Sequence, residues 1–361
     1  MIDNTSFTRD WLQTVNENLG WHRQEAQLAI LEKAVAALHL LECLSAEGMD
    51  FIFKGGTSLM LILQNITRLS VDIDIVVESL DMSYEELFSR ICCNSVLFHR
   101  FERDNRSGDY GLGTAHYKFF YTQFASESPN ESYILLDLYR LANPYANTRI
   151  LELNSNILCT SGDNRTVRVP DIDSILGDKL TAFAPDTIGI PLSAEPGHRP
   201  KRVEVLKQLY DIGNLFDRAE NVNNILNTYN TIAAHEIKQL GLEITPVEVL
   251  NDTRRHAYVI GNNGKSEREL YEAIAKGYKD FNKFVPDLSF NESNAVLAAA
   301  KATYLAGVLL STRMQLEKYK NEIDMGAWVI AKRTAYDFNE YKYSNPEAFF
   351  YWYKASLIES Q

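Results

Sequence analysis

The sequence predicts an α+β protein: a sheet-bearing N-terminal domain over residues 1–217, followed by a mainly helical domain over residues 218–361. Three observations carry this. Short apolar, β-branched and aromatic runs recur between residues 51 and 169, separated by turn residues. From residue 171 onward apolar positions recur at helical spacing instead. After Phe216 no strong strand pattern remains, which puts a soft boundary at residues 217–221.

Element by element, residues 8–47 read as helical, with Leu28, Leu31, Val35, Leu38 and Leu41 at compatible spacing, ended by Gly48. Phe51-Ile52-Phe53 is a short buried strand, and residues 71–77 form the next. Residues 83–88 predict a helix that Ser83 would cap ahead of Glu85 and Glu86. Strands follow at 116–124 and 133–139, and residues 157–159 and 166–169 are expected to complete the sheet. Asp171 starts a helix that carries Ile172, Ile175, Leu176, Leu180 and Phe183 on one stripe. A Gly/Pro-rich loop covers 185–200, and a helix over 201–216 buries Val205, Leu209, Ile212 and Phe216. Long helical patterns are expected at 291–319 and 328–353.

Composition sets the outer limits. With 361 residues, 45% apolar and 23% charged, the chain has the content of a globular protein with ample core. No run of about 18 apolar residues predicts a membrane span, and the N-terminus lacks the pattern of a secretion signal. Four cysteines without CxxC spacing fit a reducing, cytoplasmic setting. A net charge of −12 argues against coating nucleic acid by bulk electrostatics, but leaves room for a local basic channel. Two basic stretches, at 198–202 and 254–256, have solvated surface as their plain reading, and it is the preferred one for the second. Seven scattered histidines show neither HExxH nor HxH spacing, and there is no GxSxG elbow, Walker loop or GxGxxG fingerprint.

The chemistry concentrates in Lys54-Gly55-Gly56-Thr57-Ser58-Leu59 and, shortly after it, Arg68, Ser70, Asp72 and Asp74. This reads as a strand, a glycine turn, a short helix and a second strand. Alternation puts Asp72 and Asp74 on one face of that strand, with Val71, Ile73, Ile75 and Val77 on the other. Paired carboxylates repel unless a cation sits between them, and a glycine turn at a helix start offers N–H groups and positive dipole to phosphate. Gly-Gly also occurs in ordinary turns. Thr57 and Ser58 would cap the helix and meet a phosphate oxygen. Arg68 would hold phosphate or buttress the carboxylates, and Ser70 would cap a turn.

Asp137 is a lone acid in an apolar strand, so it must be paired, hydrogen-bonded or on metal. If its strand neighbours that of Asp72 and Asp74, the three carboxylates suit two magnesium ions and the phosphates of a nucleoside triphosphate. Lys179 falls inside an apolar helical stripe, where it either snorkels out or meets an anion. Lys207 and Asp211 stand one helical turn apart and can pair.

Together these segments resemble the AbiEii-type nucleotidyltransferase toxins, of the DNA-polymerase-β-like nucleotidyltransferase superfamily. The first signature is the Lys54–Leu59 run with Arg68, Ser70, Asp72 and Asp74. Val169-Pro170 through Leu176-Gly177-Asp178-Lys179-Leu180-Thr181-Ala182-Phe183 is similar to the second, and the segment ending Leu209-Tyr210-Asp211-Ile212 to the third. Gln208 stands where the family commonly has an acid. The resemblance implies a polymerase-β-like fold, Gly56 and Ser58 in the phosphate turn, magnesium on Asp72 and Asp74, nucleotide on Lys179, and Asp211 in the cleft. It also implies a toxin that adds nucleotides to an RNA such as the tRNA 3′ end, neutralised by a helix-turn-helix antitoxin. Two other readings are a small-molecule, antibiotic-type nucleotidyltransferase and a non-catalytic nucleotide- or antitoxin-binding protein.

Overall fold

A computed structural model describes the chain except residues 21–24, 64, 79–83, 105–112, 193–199, 287–288, 312, 314, 332–336 and 360–361. The expected cap Ser83 and residues 193–199 of the Gly/Pro-rich loop, with His198 and Arg199, lie outside the described residues. The chain divides into two compact units. One comprises Met1–Pro144, Thr148–Asp171 and Asn282–Ser289; the other comprises Tyr145–Asn147, Ile172–Phe281 and Phe290–Gln361. This division differs from the expected one at residue 217. The helices carrying Lys179 and Asp211 belong with the C-terminal helices, against which Ile175, Leu176, Leu180, Val205, Leu209 and Ile212 are fully buried.

The first unit is built on a seven-stranded mixed sheet. Its strands are β1 (Ile52–Lys54), β2 (Ile73–Val77), β3 (Phe98–Arg103), β4 (Thr114–Thr122), β5 (Glu131–Arg140), β6 (Thr148–Glu152) and β7 (Thr166–Pro170). They are ordered β3-β4-β5-β2-β1-β7-β6. The β2–β5 and β1–β7 pairs are parallel, and the other pairs are antiparallel. β2 lies at the centre, which is why it is apolar apart from Asp74. Helices α1 (Arg9–Asn18), α2 (Glu25–Ala46), α3 (Gly55–Ile62) and α4 (Tyr84–Asn94) accompany the sheet. α2 is apolar nearly all round and deeply buried. Of its buried acids, Glu32 accepts from the Tyr121 hydroxyl at 2.9 Å and from the backbone N–H of Phe124 at 2.9 Å. That fixes the end of β4 to the helix.

The edges of the sheet depart from expectation. Residues 157–159 form no named strand; Ile157 and Leu158 are buried core residues near the isolated bridge between Ile2 and Thr160. The last strand is β6 instead. As an edge strand it leaves Ile150 59% exposed, so its sequence lacks the apolar alternation that marks a half-buried strand. β3, at the other edge, is half-charged for the same reason.

The second unit is helical. α5 (Ile172–Ala182), α6 (Arg202–Phe216), α7 (Val222–Gln239), α8 (Pro246–Gly261), α9 (Arg268–Ala275) and α10 (Tyr278–Phe281) are followed by α11 (Glu292–Leu310), α12 (Tyr341–Ser344) and α13 (Pro346–Glu359). The helix expected over 291–319 stops at Leu310, because Ser311 turns extended and bonds its hydroxyl to the Val308 carbonyl at 2.9 Å. The expected 328–353 helix is realised only from Tyr341 onward. α11 has the length and composition of a membrane span, with mean hydropathy 1.3, but 78% of that stretch is buried within the protein, as in a core helix. The basic pair of α8 is taken up by acids: Arg254 pairs with Glu359, and Arg255 with Glu267 and Asp186.

α5 and α7 touch backbone to backbone. A Cβ on Gly177 would lie 2.5 Å from the Ile225 carbonyl oxygen and 3.0 Å from the Tyr229 nitrogen. Backbone cannot step aside as a flexible side chain can, so Gly177→Ala is expected to destabilise the protein by about 1–3 kcal/mol, measured as a lower urea midpoint.

Candidate active site

The first unit brings Asp74 and Asp137 into one row. In the parallel β2–β5 pair, Asp74 is the register partner of Asp137, and in the antiparallel β4–β5 pair Asp137 is the partner of His116. Register partners project from the same face, with strands about 4.8 Å apart. Ile73, Ile75, Leu136 and Leu138 fill the opposite face and are fully buried. The neighbour relation expected for Asp137 is therefore present. Asp72 lies two residues before Asp74, just ahead of β2.

The glycine turn is packed against this row. Gly55 has φ +77°, and a Cβ there would stand 2.1 Å from Asp74 Oδ2. A Cβ on Gly56 would stand 2.5 Å from an Arg68 guanidinium nitrogen and 2.9 Å from Ser70 Oγ. The pair is therefore obligatory at two close approaches, one to an acid and one to a base, rather than an ordinary turn. Arg68 and Ser70 are buried at the glycine turn, and Arg68 also donates to the Leu69 carbonyl at 3.0 Å.

α3 begins at Gly55 with Lys54 at its cap position and no capping side chain. Thr57 and Ser58 are not the caps expected. Both are fully buried; Thr57 donates its hydroxyl to the Asp72 carbonyl, and Ser58 donates to the Gly55 carbonyl at 2.9 Å. These bonds hold the start of β2 to the helix. Phosphate would then meet the first-turn N–H groups, which have no partner within a helix.

His116 is a member that sequence reasoning missed. Its Nδ1 lies 2.7 Å from Asp137 Oδ1, and the side chain is nearly enclosed. At the edge of a predicted strand it looked like any other histidine; only register puts it opposite Asp137. Lys54, the register partner of Asp74, was likewise passed over, and its ammonium lies 4.6 Å from the centre of the Tyr139 ring. Asp72, Asp74 and Asp137 are not gathered so that their oxygens lie within 4.8 Å of one another; among the described residues the group that meets this is Asp186, Asp252 and His256. Asp137 lies against His116, and Asp74 lies over Gly55.

The second unit organises Lys179. Its ammonium donates to Asp211 Oδ2 at 2.9 Å and Gln208 Oε1 at 3.0 Å, and all three side chains are buried. Lys179 does not snorkel; it has met its anion within the protein. This ion pair to Asp211 runs from the neighbouring helix, and Lys207, one turn before Asp211 on α6, is half-buried. Gln208, at the family's acidic position, supplies an amide oxygen. Next to this group Tyr145 donates to Asp178 Oδ2 at 2.9 Å.

The carboxylate row at a glycine-started helix is the arrangement expected of a nucleotide-transferring enzyme. The sequence profile of a family described as "Nucleotidyl transferase AbiEii toxin, Type IV TA system" matches residues 39–300. The chain belongs to this family and is a nucleotidyltransferase. No curated protein matches it significantly. Among solved structures, JHP933 from Helicobacter pylori is similar at 13% identity and TM-score 0.44, over 77% of this chain and 94% of that one. An antigenic nucleotidyltransferase-like protein from Paracoccidioides brasiliensis is similar at 14% identity and TM-score 0.36, over 61% of this chain and 97% of that one. The assignment rests on the family match and not on these distant likenesses.

Two outcomes are expected. Gly55→Ala, which pushes Asp74 aside, lowers nucleotide transfer by about a hundredfold with labelled triphosphate. Asp211→Ala strands the Lys179 charge and costs about 3–5 kcal/mol in urea denaturation, most of which the double variant Lys179→Met/Asp211→Leu restores.

Proposed function

We propose that this nucleotidyltransferase is the magnesium-dependent toxin of a type IV toxin–antitoxin or phage-defence system. It transfers a nucleotide from a nucleoside triphosphate to an RNA acceptor such as the tRNA 3′ end. It acts in the cytoplasm and is countered by a helix-turn-helix antitoxin. The observation that carries the chemical part is the register pairing of Asp74 with Asp137 beside the Gly55–Gly56 turn.

The residues fit a divalent cation: two acids side by side on one sheet face, one lying over a glycine that leaves room for no side chain. A cation on Asp72, Asp74 and Asp137 would supply charge neutralisation for the attacking hydroxyl and the departing pyrophosphate, two ions being the usual complement. In this reading the first-turn N–H groups of α3 and Arg68 hold the phosphates. Thr57 keeps Asp72 at a fixed distance from that turn, and His116 sets the orientation of the Asp137 carboxylate on the attacking side. Lys179 and Lys207 are assigned to the nucleotide, with Asp211 holding Lys179 in its orientation. The RNA acceptor follows from the family and not from surface charge.

The test is incubation of the purified chain with labelled triphosphates, magnesium and total RNA. Label in RNA that disappears with Asp74→Asn, together with relief of growth inhibition by the same variant, is the expected result. Label confined to small products moves the acceptor to a small molecule. Undiminished transfer by Asp74→Asn overturns the assignment of the carboxylates.

A further inference from the structure

The second unit holds a group of three ligand-type side chains that the nucleotide chemistry does not use. His256 on α8 is fully buried. Its Nδ1 lies 3.1 Å from the Asp252 carbonyl, one helical turn back. An N–H directed there leaves Nε2 with a lone pair, and Nε2 has no hydrogen-bond partner although it is enclosed. Nε2 faces Asp186 Oδ1 across 3.8 Å. Asp252 Oδ1 is also enclosed without a hydrogen bond: it lies 2.8 Å from Nδ1 but off the N–H direction. The three ligand atoms lie within 4.8 Å of one another.

Outer partners orient each member. Asp252 Oδ2 accepts from the Asp186 N–H and the Thr187 hydroxyl, both at 2.9 Å, which leaves Oδ1 toward the histidine. Asp186 Oδ2 is taken by Arg255, which leaves Oδ1 toward Nε2. An imidazole whose other nitrogen is committed to a carbonyl, with carboxylates that are themselves hydrogen-bonded, is the way proteins prepare metal ligands. The enclosed Nε2 faces a half-exposed carboxylate, so one member of the group is open to solvent.

We propose that Asp186, Asp252 and His256 bind a first-row divalent cation of the zinc or manganese type, which ties the turn after α5 to α8. The set of one imidazole nitrogen and two carboxylate oxygens suits such ions better than magnesium, which favours oxygen and water. With bonds of about 2.1 Å, neighbouring ligand atoms stand roughly 3.0–3.5 Å apart, so the 3.8 Å gap closes by a few tenths of an ångström on binding. The turn involved is compact, with the N–H groups of Thr187 and Gly189 both bonded to the Ala184 carbonyl at 3.1 and 2.8 Å.

The competing state is metal-free. Burial opposes a charge on His256, but the adjacent Asp252, through its carboxylate and its carbonyl, and the charge of Asp186 outweigh it, so the ring holds its proton to higher pH than an ordinary histidine. The experiment therefore uses the chelator-treated full chain at pH 8, titrated calorimetrically with zinc, manganese and magnesium. The Asp74→Asn variant is run in parallel to remove the contribution of the other carboxylates. Expected is one zinc equivalent bound by the wild type and by Asp74→Asn, with zinc raising the melting temperature of both. Asp186→Asn and His256→Gln should each lose at least about tenfold in affinity. Asp186 is half-exposed, so its variant remains informative if the buried His256 substitution fails to fold. Zinc uptake unchanged in Asp186→Asn, or absent from Asp74→Asn at 100-fold molar excess over protein, overturns the proposal. Neither result depends on whether transfer activity is found.

Discussion

Two like charges held side by side by sheet register are the constraint around which the first unit is arranged. The parallel pairing of β2 with β5 leaves Asp74 and Asp137 no choice of face, since slipping either strand by one residue would bury the acids and expose Ile73, Ile75, Leu136 and Leu138. Burial of those four apolar side chains therefore keeps the carboxylates together. At about 25 cal/mol per Å² the apolar face far outweighs the repulsion between partly solvated acids. The core enforces the site.

The surroundings adapt to that constraint. Gly55 is without a side chain because Asp74 lies over it, and Gly56 because Arg68 and Ser70 do. Thr57 reaches back to the Asp72 carbonyl, so the helix start and the acidic strand are bonded into one piece. His116, on the far side of β5, gives Asp137 a hydrogen-bonding neighbour. In the second unit the same problem, a charge that must be buried, is solved by a direct ion pair between adjacent helices with one amide completing it.

Much of this was legible in the sequence where local pattern and final environment agree. The central strands β1, β2 and β5 announce themselves by apolar runs, and the glycine pair with Asp72 and Asp74 by spacing. Lys179 stood out because it breaks an apolar stripe. What stayed hidden depends on who neighbours whom. β3 and β6 are edge strands and have little buried surface to mark them. His116 is opposite Asp137 only through register, and the ion pair that Lys179 makes with Asp211 joins two helices far apart in sequence. Gly177 belonged to a recognised motif, yet its reason, a backbone contact with α7, needs the packed helices. The two compact units divide the chain elsewhere than at residue 217, because helix-forming stripes say that a helix buries a face, not which unit it is buried in.

An ammonium group has three hydrogens to give. On Lys179 two of them are committed, to Asp211 and to Gln208. The side chain thus enters any encounter with a ligand as a single directed donor whose stem can no longer swing, its rotational freedom having been surrendered during folding. A planar guanidinium in the same place would present its hydrogens in a fixed fork and could not satisfy this three-way geometry. The valence of one nitrogen atom, more than its charge, limits what this position can offer.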